Sequence, residues 1–190
     1  MTRLHVSYAM ARDYLRGFAR DENGNIAIEC VILLPLLFWA YLSMFAIFDA
    51  YRQHAINQKA AFTIGDIVSR QTTPIDPAFL DGMRNTLKYL TNVPNSDTSI
   101  RITSVRYDAN NNIYKRDWSK KRGWMPALSN NEVKNWHDRL PVLVHNERLI
   151  LVETFVKYDP PFATGLQERT ITNFVFTSPR YAPQVLWSDG

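Results

Sequence analysis

One acidic residue, Glu29, lies inside the most apolar stretch of the sequence. Residues 30–48 form 19 consecutive positions without a charge, and extending the stretch back to Ile26 adds only Glu29. An ionised carboxylate costs roughly 2.5 to 3.5 kcal/mol at the centre of a bilayer, and less near its edge. Glu29 therefore requires either a group that neutralises it or access to the lipid headgroups, and the residue by itself leaves both alternatives open.

A dense run of basic and aromatic residues is a second candidate site. Basic side chains interleaved with aromatic rings bind nucleic-acid backbones or anionic headgroups. The alternative is a solvated hairpin edge on which lysines prevent self-pairing. In an exported domain, an anionic surface, a polysaccharide or another protein is a more suitable ligand than nucleic acid. The candidate residues are Lys115, Arg116, Trp118, Lys120, Lys121, Arg122 and Trp124.

Catalytic and metal-binding patterns are absent from the sequence. The four histidines, His5, His54, His137 and His145, match no metal-ligand spacing, and the single thiol, Cys30, lies in the apolar stretch. The sequence contains no GxGxxG, GxxxxGK[ST], GxSxG or HExxH motif. A composition of 46% hydrophobic and 21% charged residues excludes a disordered, collagen-like or disulfide-stapled chain. We therefore expect a non-enzymatic protein without a cofactor or metal.

The element that positions Glu29 is a predicted transmembrane helix. The 23 residues 26–48 would extend about 34 Å as a helix, enough to cross a hydrocarbon core of roughly 30 Å. The run is longer than a signal-peptide core of roughly 7 to 15 residues. A buried core helix is rarely apolar on every face for six turns. No second such stretch occurs in residues 49–190, so a single membrane span is predicted.

Flanking charges predict the orientation of the span. Residues 1–24 contain four arginines, whereas the first 20 residues after the span contain only Arg52 and Lys59. Positive charges remain preferentially on the cytoplasmic side. The N-terminus is therefore predicted to be cytoplasmic, and residues 49–190 are predicted to be exported.

The residues around Glu29 resemble those of a known family. Gly24 precedes Glu29 by five positions, as in the processing site of type IV prepilins, and Leu33-Leu34-Pro35-Leu36-Leu37 follows. Together with the segment Phe18-Ala19-Arg20-Asp21-Glu22-Asn23, this block is similar to TadE/TadG-like pilus-assembly proteins, which are minor pilins or pseudopilins of the tight-adherence type IVb pilus system.

The resemblance implies a role for individual residues. A membrane-embedded prepilin peptidase would cut between Gly24 and Asn25, and Glu29 would then pair with the free amine of a neighbouring subunit. Pro35 would let the helix bend or melt locally during packing into a filament, whereas its plain interpretation is a tolerated helix proline.

The resemblance also implies partners and a location. The partners are other pilus or pseudopilin subunits, the prepilin peptidase and the inner-membrane assembly platform. The chain would reside in the bacterial inner membrane with a periplasmic C-terminal domain, or be incorporated in the pilus. The alternative function is a single-pass anchored exported domain that binds an envelope component or ligand and has no role in pili.

Four segments are predicted: a leader (1–24), a transmembrane helix (25–48), an exported amphipathic helix (49–70) and an exported head domain (71–190). The stripe that identifies the amphipathic helix consists of Ile56, Ala60, Ile64 and Ile67.

The head is predicted to be α+β, with helices packed on an antiparallel sheet of about four strands. Asp76 and Pro77 are expected to begin a helix with Leu80, Met83, Leu87 and Leu90 on one face. Strands are expected near 100–107 and 113–118 around a hairpin turn, and at 148–158 and 168–177. Ser129 and Glu132 form a predicted capping box for a helix that reaches Leu140.

Overall fold

The computed structural model describes the backbone of residues 23–189 and the side chains of Ile26 and residues 28–189. Most of the predicted leader, residues 1–22, lies outside the described residues. The architecture is α+β: a long apolar N-terminal helix precedes a small domain of helices and a four-stranded antiparallel sheet. The helices are α1 (Asn23–Ser69), α2 (Pro77–Thr91) and α3 (Asn130–Val133), and the strands are β1 (Thr98–Asp108), β2 (Ile113–Arg122), β3 (Arg148–Tyr158) and β4 (Arg169–Thr177).

The predicted transmembrane and amphipathic helices form one continuous element. Helix α1 contains 47 residues and passes through Pro35 without ending. Its second half packs on the sheet through the buried residues Ala60, Ile64 and Val68, while the predicted Ile56 and Ile67 are half-buried. The stripe was therefore predicted on the correct face, with its centre slightly displaced.

Helix α2 begins as its sequence predicts. The side chain of Asp76 accepts a hydrogen bond from the backbone N–H of Phe79 at 2.7 Å, and Pro77 occupies the first turn, where a missing N–H costs nothing. Asn92 ends the helix in the left-handed conformation at φ 55°.

The predicted apolar face of α2 is wrong at its last position. Leu80 and Leu87 are fully buried, but Leu90 is 38% exposed and Thr91 is buried in its place. At about 100° per residue, position 91 lies within about 20° of Leu80 around the helix, whereas position 90 lies about 80° away. The rotation of the helix, and not the apolarity of the side chain, decides which residue meets the sheet.

The sheet has the strand order β2-β1-β3-β4, with every neighbouring pair antiparallel. Strand β3 has the predicted bounds, while β2 extends to Arg122, beyond the predicted end at position 118. A register shift between Ser104 and Val105 leaves Asp117 of β2 unpaired. Such a bulge exchanges the faces of the following residues, which hides the rest of the strand from a period-two pattern.

Both faces of the sheet are covered, so β1 and β3 are buried along almost their whole length. Helices α1 and α2 pack on one face around Ile100, Ile102 and Val152. The segment between β2 and β3 covers the other face with Leu128, Val133 and Leu140. Alternation of apolar and polar residues therefore identified the strand, although both sets of side chains are inside the domain.

The capping box between β2 and β3 is confirmed, but the helix that it begins is short. Ser129 and Glu132 bond reciprocally to each other's backbone N–H groups, yet α3 ends at Val133. A separate 3-10 turn, Trp136–Asp138, follows. A capping box determines where a helix begins and has no influence on its length.

Candidate functional site

Among the described residues, the first half of α1 is the region that exposes the largest number of apolar side chains. Every described side chain from Ile28 to Tyr41 is exposed, and Ile32, for example, is 65% exposed. Contiguous apolar patches above a few hundred Å² on a monomer mark an interaction site. Among the described residues, α1 is the one helix long and apolar enough to cross a membrane.

Glu29 lies on this exposed part of the helix. Its side chain forms no ion pair within the part of the chain that the structure describes, and neighbouring Cys30 is an exposed free thiol. Gly24 and Asn25 belong to the helical backbone at the start of α1, while their side chains lie outside the described set. Nothing inside the described residues neutralises Glu29, so the roles predicted for Gly24, Asn25 and Glu29 stay predictions.

The exposed half of α1 meets the head at a defined junction. Small residues, Ala46 and Ala50, are buried there and let the sheet approach the helix closely. The phenol of Tyr158 donates a hydrogen bond to Oδ2 of Asp49 at 3.0 Å. Burial, reinforced by this carboxylate, raises the pKa of Tyr158 to about 12. The first charged residue after the apolar stretch is thereby tied to the end of β3.

One helical turn closer to the N-terminus of α1, an aromatic pair extends the junction. The rings of Phe45 and Phe162 meet edge to face, with their centroids 5.9 Å apart. Phe162 belongs to the loop between β3 and β4. Sequence reasoning missed these contacts because residues 49 and 158 are 109 positions apart and no local pattern relates them.

The candidate basic run does not form one surface. Trp118, Lys120 and Arg122 lie on the sheet face that carries α2 and the C-terminal segment. The indole N–H of Trp118 donates to the Val185 carbonyl at 2.9 Å. Lys120 pairs with Asp189 at 2.9 Å.

The third residue on this face binds α2 directly. The guanidinium of Arg122 pairs with Asp81 and also donates to the Pro77 carbonyl at 3.3 Å. These contacts connect β2 to the start of α2, so the basic side chain supports the packing of the head.

The other members of the run point elsewhere. Lys121 donates to the Gly123 carbonyl at 3.0 Å, and the guanidinium of Arg116 donates to the Leu128 carbonyl. The ring of Trp124 contacts Phe155, with centroids 6.0 Å apart.

Lys115 completes the run at the hairpin turn. Its ammonium lies 2.6 Å from Oδ2 of Asp108 and, with hydrogen bonds from Asn111, holds the pKa of that carboxyl well below its usual range. Each of the seven candidate residues thus has an intramolecular partner, and the run connects β2 to the rest of the head.

A buried ion pair that sequence reasoning missed lies on the second face of the sheet. Arg101 and Glu153 face each other on β1 and β3, with side chains only 8% and 5% exposed. Two hydrogen bonds of 2.6 and 2.8 Å join guanidinium and carboxylate. A third, to the Pro126 carbonyl at 2.7 Å, attaches the covering segment to the sheet. The pair is satisfied within the fold and has a structural role.

The described residues contain no cluster of three or more His, Cys, Asp or Glu side chains that could hold a metal ion. A cleft of about 740 Å³ opens between α1 and the start of β4, next to the junction. The cleft is lined by the apolar side chains of Ile47 and Leu166 and by the polar side chains of His54 and Arg169.

The fold and the site define a coarse class: a small α+β domain carried on one long apolar helix with the dimensions of a membrane anchor. Comparisons of the chain with models of protein families, with curated proteins and with solved structures give no match.

Proposed function

We propose that the chain is a membrane-anchored minor pilin or pseudopilin that takes part in assembly of a tight-adherence, type IVb pilus. In this proposal it is no enzyme; it is the substrate of a prepilin peptidase and a partner of other pilus subunits and of the inner-membrane assembly platform. The residues that support the family are Gly24, Glu29 and Pro35 with their apolar surroundings.

The observation that carries the proposal is the structure of α1. One unbroken helix exposes apolar side chains over its first half and packs a small α+β head on its second half. This is the arrangement that a subunit needs if it is stored in a bilayer and later packed against other apolar helices. The exposed half is satisfied by lipid in the first state and by neighbouring subunits in the second.

Glu29 gives the proposal its chemistry. A carboxylate at the end of the apolar run is costly in lipid, and this cost is offset when a cationic partner approaches. Cleavage between Gly24 and Asn25 would create such a partner, because it frees an α-amine at the start of the mature chain. The amine of one subunit and Glu29 of the next would then form the pair that no described residue supplies.

The proposed location is the bacterial inner membrane, with the N-terminus in the cytoplasm and the head in the periplasm. A reporter that is active only outside the cytoplasm, fused after Gly190, is expected to be active. Activity of a reporter that functions only in the cytoplasm, fused at the same position, would contradict this topology.

The function itself is tested by a pair of variants. Gly24→Ala places a methyl group at the residue before the proposed cut, so the full-length precursor is expected to accumulate. Glu29→Gln keeps the shape of the side chain and removes its charge, so insertion and processing are expected to proceed while assembly fails.

Immunoblots for precursor and mature forms, the mass of the mature N-terminus and a piliation assay distinguish the outcomes. The mass is informative because Asn25 and Cys30 differ from the residues usual at these positions in pilins, which are Phe or Met and an aromatic residue. A functional Glu29→Gln protein together with a functional, uncut Gly24→Ala protein would leave only a generic membrane anchor, and would favour an exported domain that binds an envelope component.

A further inference from the structure

The loop between β3 and β4 extends from the head toward the apolar half of α1. At the end of β3, Tyr158 is hydrogen-bonded to Asp49, and four residues later Phe162 contacts Phe45. The chain then returns to the head, since Leu166 and Arg169 line the cleft beside α1 residues 47–54. The loop therefore runs down and back along α1 by about one helical turn.

The position of Phe45 relates this loop to the membrane. Asp49 is the first charged residue after the apolar stretch, and Phe45 lies four residues earlier, about 6 Å along the helix axis. Helical side chains also lean toward the N-terminus of the helix, so the ring of Phe45 lies deeper than its own backbone. Phe162 touches this ring and consequently lies at the depth of the apolar stretch.

The composition of the loop suits such a depth. Residues 160–167 (PPFATGLQ) carry no charge, whereas Asp159 and Glu168 limit the segment at both ends. Although it packs on Phe45, Phe162 remains 39% exposed. The exposed part of the Phe162 ring is stabilised only when an apolar phase covers it.

Groups suited to lipid headgroups lie next to Phe45 and Phe162, on the side toward the head. Tyr51 is exposed on α1, and the guanidinium of Arg169 lies over the ring of Tyr158 at 6.0 Å. Tyrosine and arginine are typical of the membrane–water boundary, where a ring and a cation meet headgroups together. The order along α1 is thus apolar at Phe45, then acidic at Asp49, and then aromatic and basic at residues 51–54.

From this geometry we infer that the β3–β4 loop is a second membrane contact, in which Phe162 inserts into the boundary of the lipid leaflet beside α1. The partner is the lipid surface. The inference rests on the proposed membrane anchoring of α1. It adds that the head contacts the membrane surface through one fixed edge, the β3–β4 loop. The two contacts, α1 and the loop, together would restrict rotation of the head about the helix axis.

The test measures lipid exposure of single labelled positions in the full chain. The Cys30→Ser substitution first removes the single cysteine of the chain. In this background, one new cysteine at a time carries a nitroxide label, introduced as Phe162→Cys, Phe38→Cys or Phe176→Cys. Phe176 is the matched control, because it is 45% exposed and belongs to β4 beyond the junction. The protein is reconstituted in vesicles of phosphatidylethanolamine and phosphatidylglycerol.

Collision with oxygen, which partitions into lipid, is compared with collision with a water-soluble nickel chelate. We expect labels at 38 and 162 to collide several-fold more with oxygen than with the chelate, and the label at 176 to show the opposite ratio. A label attached through Ala163→Cys repeats the measurement with Phe162 intact, in case the loss of the ring disturbs the loop.

The failure of each idea has its own signature. Labels at 162 and 163 that are as chelate-accessible as the label at 176, while position 38 is in lipid, would overturn the loop contact and leave the anchor intact. A chelate-accessible label at position 38 would overturn membrane anchoring itself.

Discussion

The two halves of α1 invert the usual relation between apolarity and burial. In the first half, leucine, isoleucine and phenylalanine side chains are exposed, whereas in the second half the fully buried positions include alanines and Asn57. The amide of Asn57 donates to the Gln53 carbonyl at 2.8 Å, one turn earlier in the same helix. The contact with the sheet in the second half thus buries small side chains together with the large apolar side chains of Ile64 and Val68. The first half is suited to a surrounding that water does not provide.

Charged residues show the same inversion. The head buries Arg101 with Glu153, while Glu29 on the apolar half of α1 is exposed. A charge can be buried where the fold supplies its counter-charge and hydrogen bonds, and it becomes costly where they are missing. The comparison therefore shows that the head is complete in itself, while the apolar half of α1 is incomplete without its surroundings.

The largest effect is expected when the buried pair is broken. Glu153→Gln leaves the Arg101 guanidinium buried without its counter-charge, so the free energy of unfolding should fall by about 3 to 5 kcal/mol. Asp66→Asn is the matched control, because Asp66 pairs with Arg70 and Arg180 at the surface, and each such exposed pair is worth about 0 to 1 kcal/mol. Urea unfolding in detergent, followed by tryptophan fluorescence, measures both. Equal losses in the two variants would contradict a self-sufficient head.

A matched pair of truncations compares the two halves of α1 directly. Ile64→Ala removes a fully buried side chain and should cost the head about 2 to 5 kcal/mol. Ile32→Ala makes the same chemical change at an exposed position and should alter the unfolding of the head by less than about 0.5 kcal/mol. The same unfolding assay applies. A large loss for Ile32→Ala would mean that the apolar half also packs on the head.

The junction between the halves should respond to alkaline pH. Because the pKa of Tyr158 is raised to about 12 in the fold, its neutral phenol stabilises the head fully below about pH 10, the ordinary pKa of tyrosine. This contribution is lost as pH rises from about 10 toward the raised value. Tyr158→Phe should cost about 1 kcal/mol at neutral pH, a typical net hydrogen-bond contribution, and should show a weaker decline above about pH 10.

Unfolding midpoints at neutral and alkaline pH give this measurement. If wild type and Tyr158→Phe declined in parallel above about pH 10, ionisation of the buried Tyr158 phenol would not be the cause of the alkaline decline.

The smallest effect belongs to the hairpin turn, at the end of the sheet away from Asp49. Lys115 and Asn111 lower the pKa of Asp108, so its carboxylate stabilises the fold above about pH 3.9, the ordinary value for aspartate. This contribution is lost as pH falls toward the lowered value. Asp108→Asn should therefore be less stable than wild type at neutral pH and should approach wild type in acid.

Exposed Asp138 supplies the control, since Asp138→Asn should leave the stability at neutral pH within about 0.5 kcal/mol of wild type. If the two variants behave alike at every pH, the turn contributes nothing through its charge.

Local signals predicted much of this fold. Asp76 and Pro77 mark the start of α2, the bounds of β3 follow from its composition, and the change from helical to period-two patterning at position 100 separates helices from sheet. The coarse α+β class and a helix long enough to span a membrane follow from the same patterns.

Long-range pairings were beyond prediction. The Arg101–Glu153 and Asp49–Tyr158 contacts join residues 52 and 109 positions apart, and their geometry exists only once the sheet has formed. The sequence left two interpretations of the basic run, a binding patch and a solvated hairpin edge, and both stay predictions. Its residues are adjacent in sequence, but a strand sends successive side chains to opposite faces, so closeness along the chain does not place them on one surface.

The continuity of α1 has a mechanical consequence. An unbroken helix of 47 residues is about 70 Å long and couples translation to rotation, since each residue adds about 1.5 Å and about 100°. Adding or removing one residue between the apolar half and the junction would turn the head by more than a quarter of a revolution. The length of the helix therefore determines both the distance of the head from the apolar half and which side of the head is presented to a neighbouring molecule.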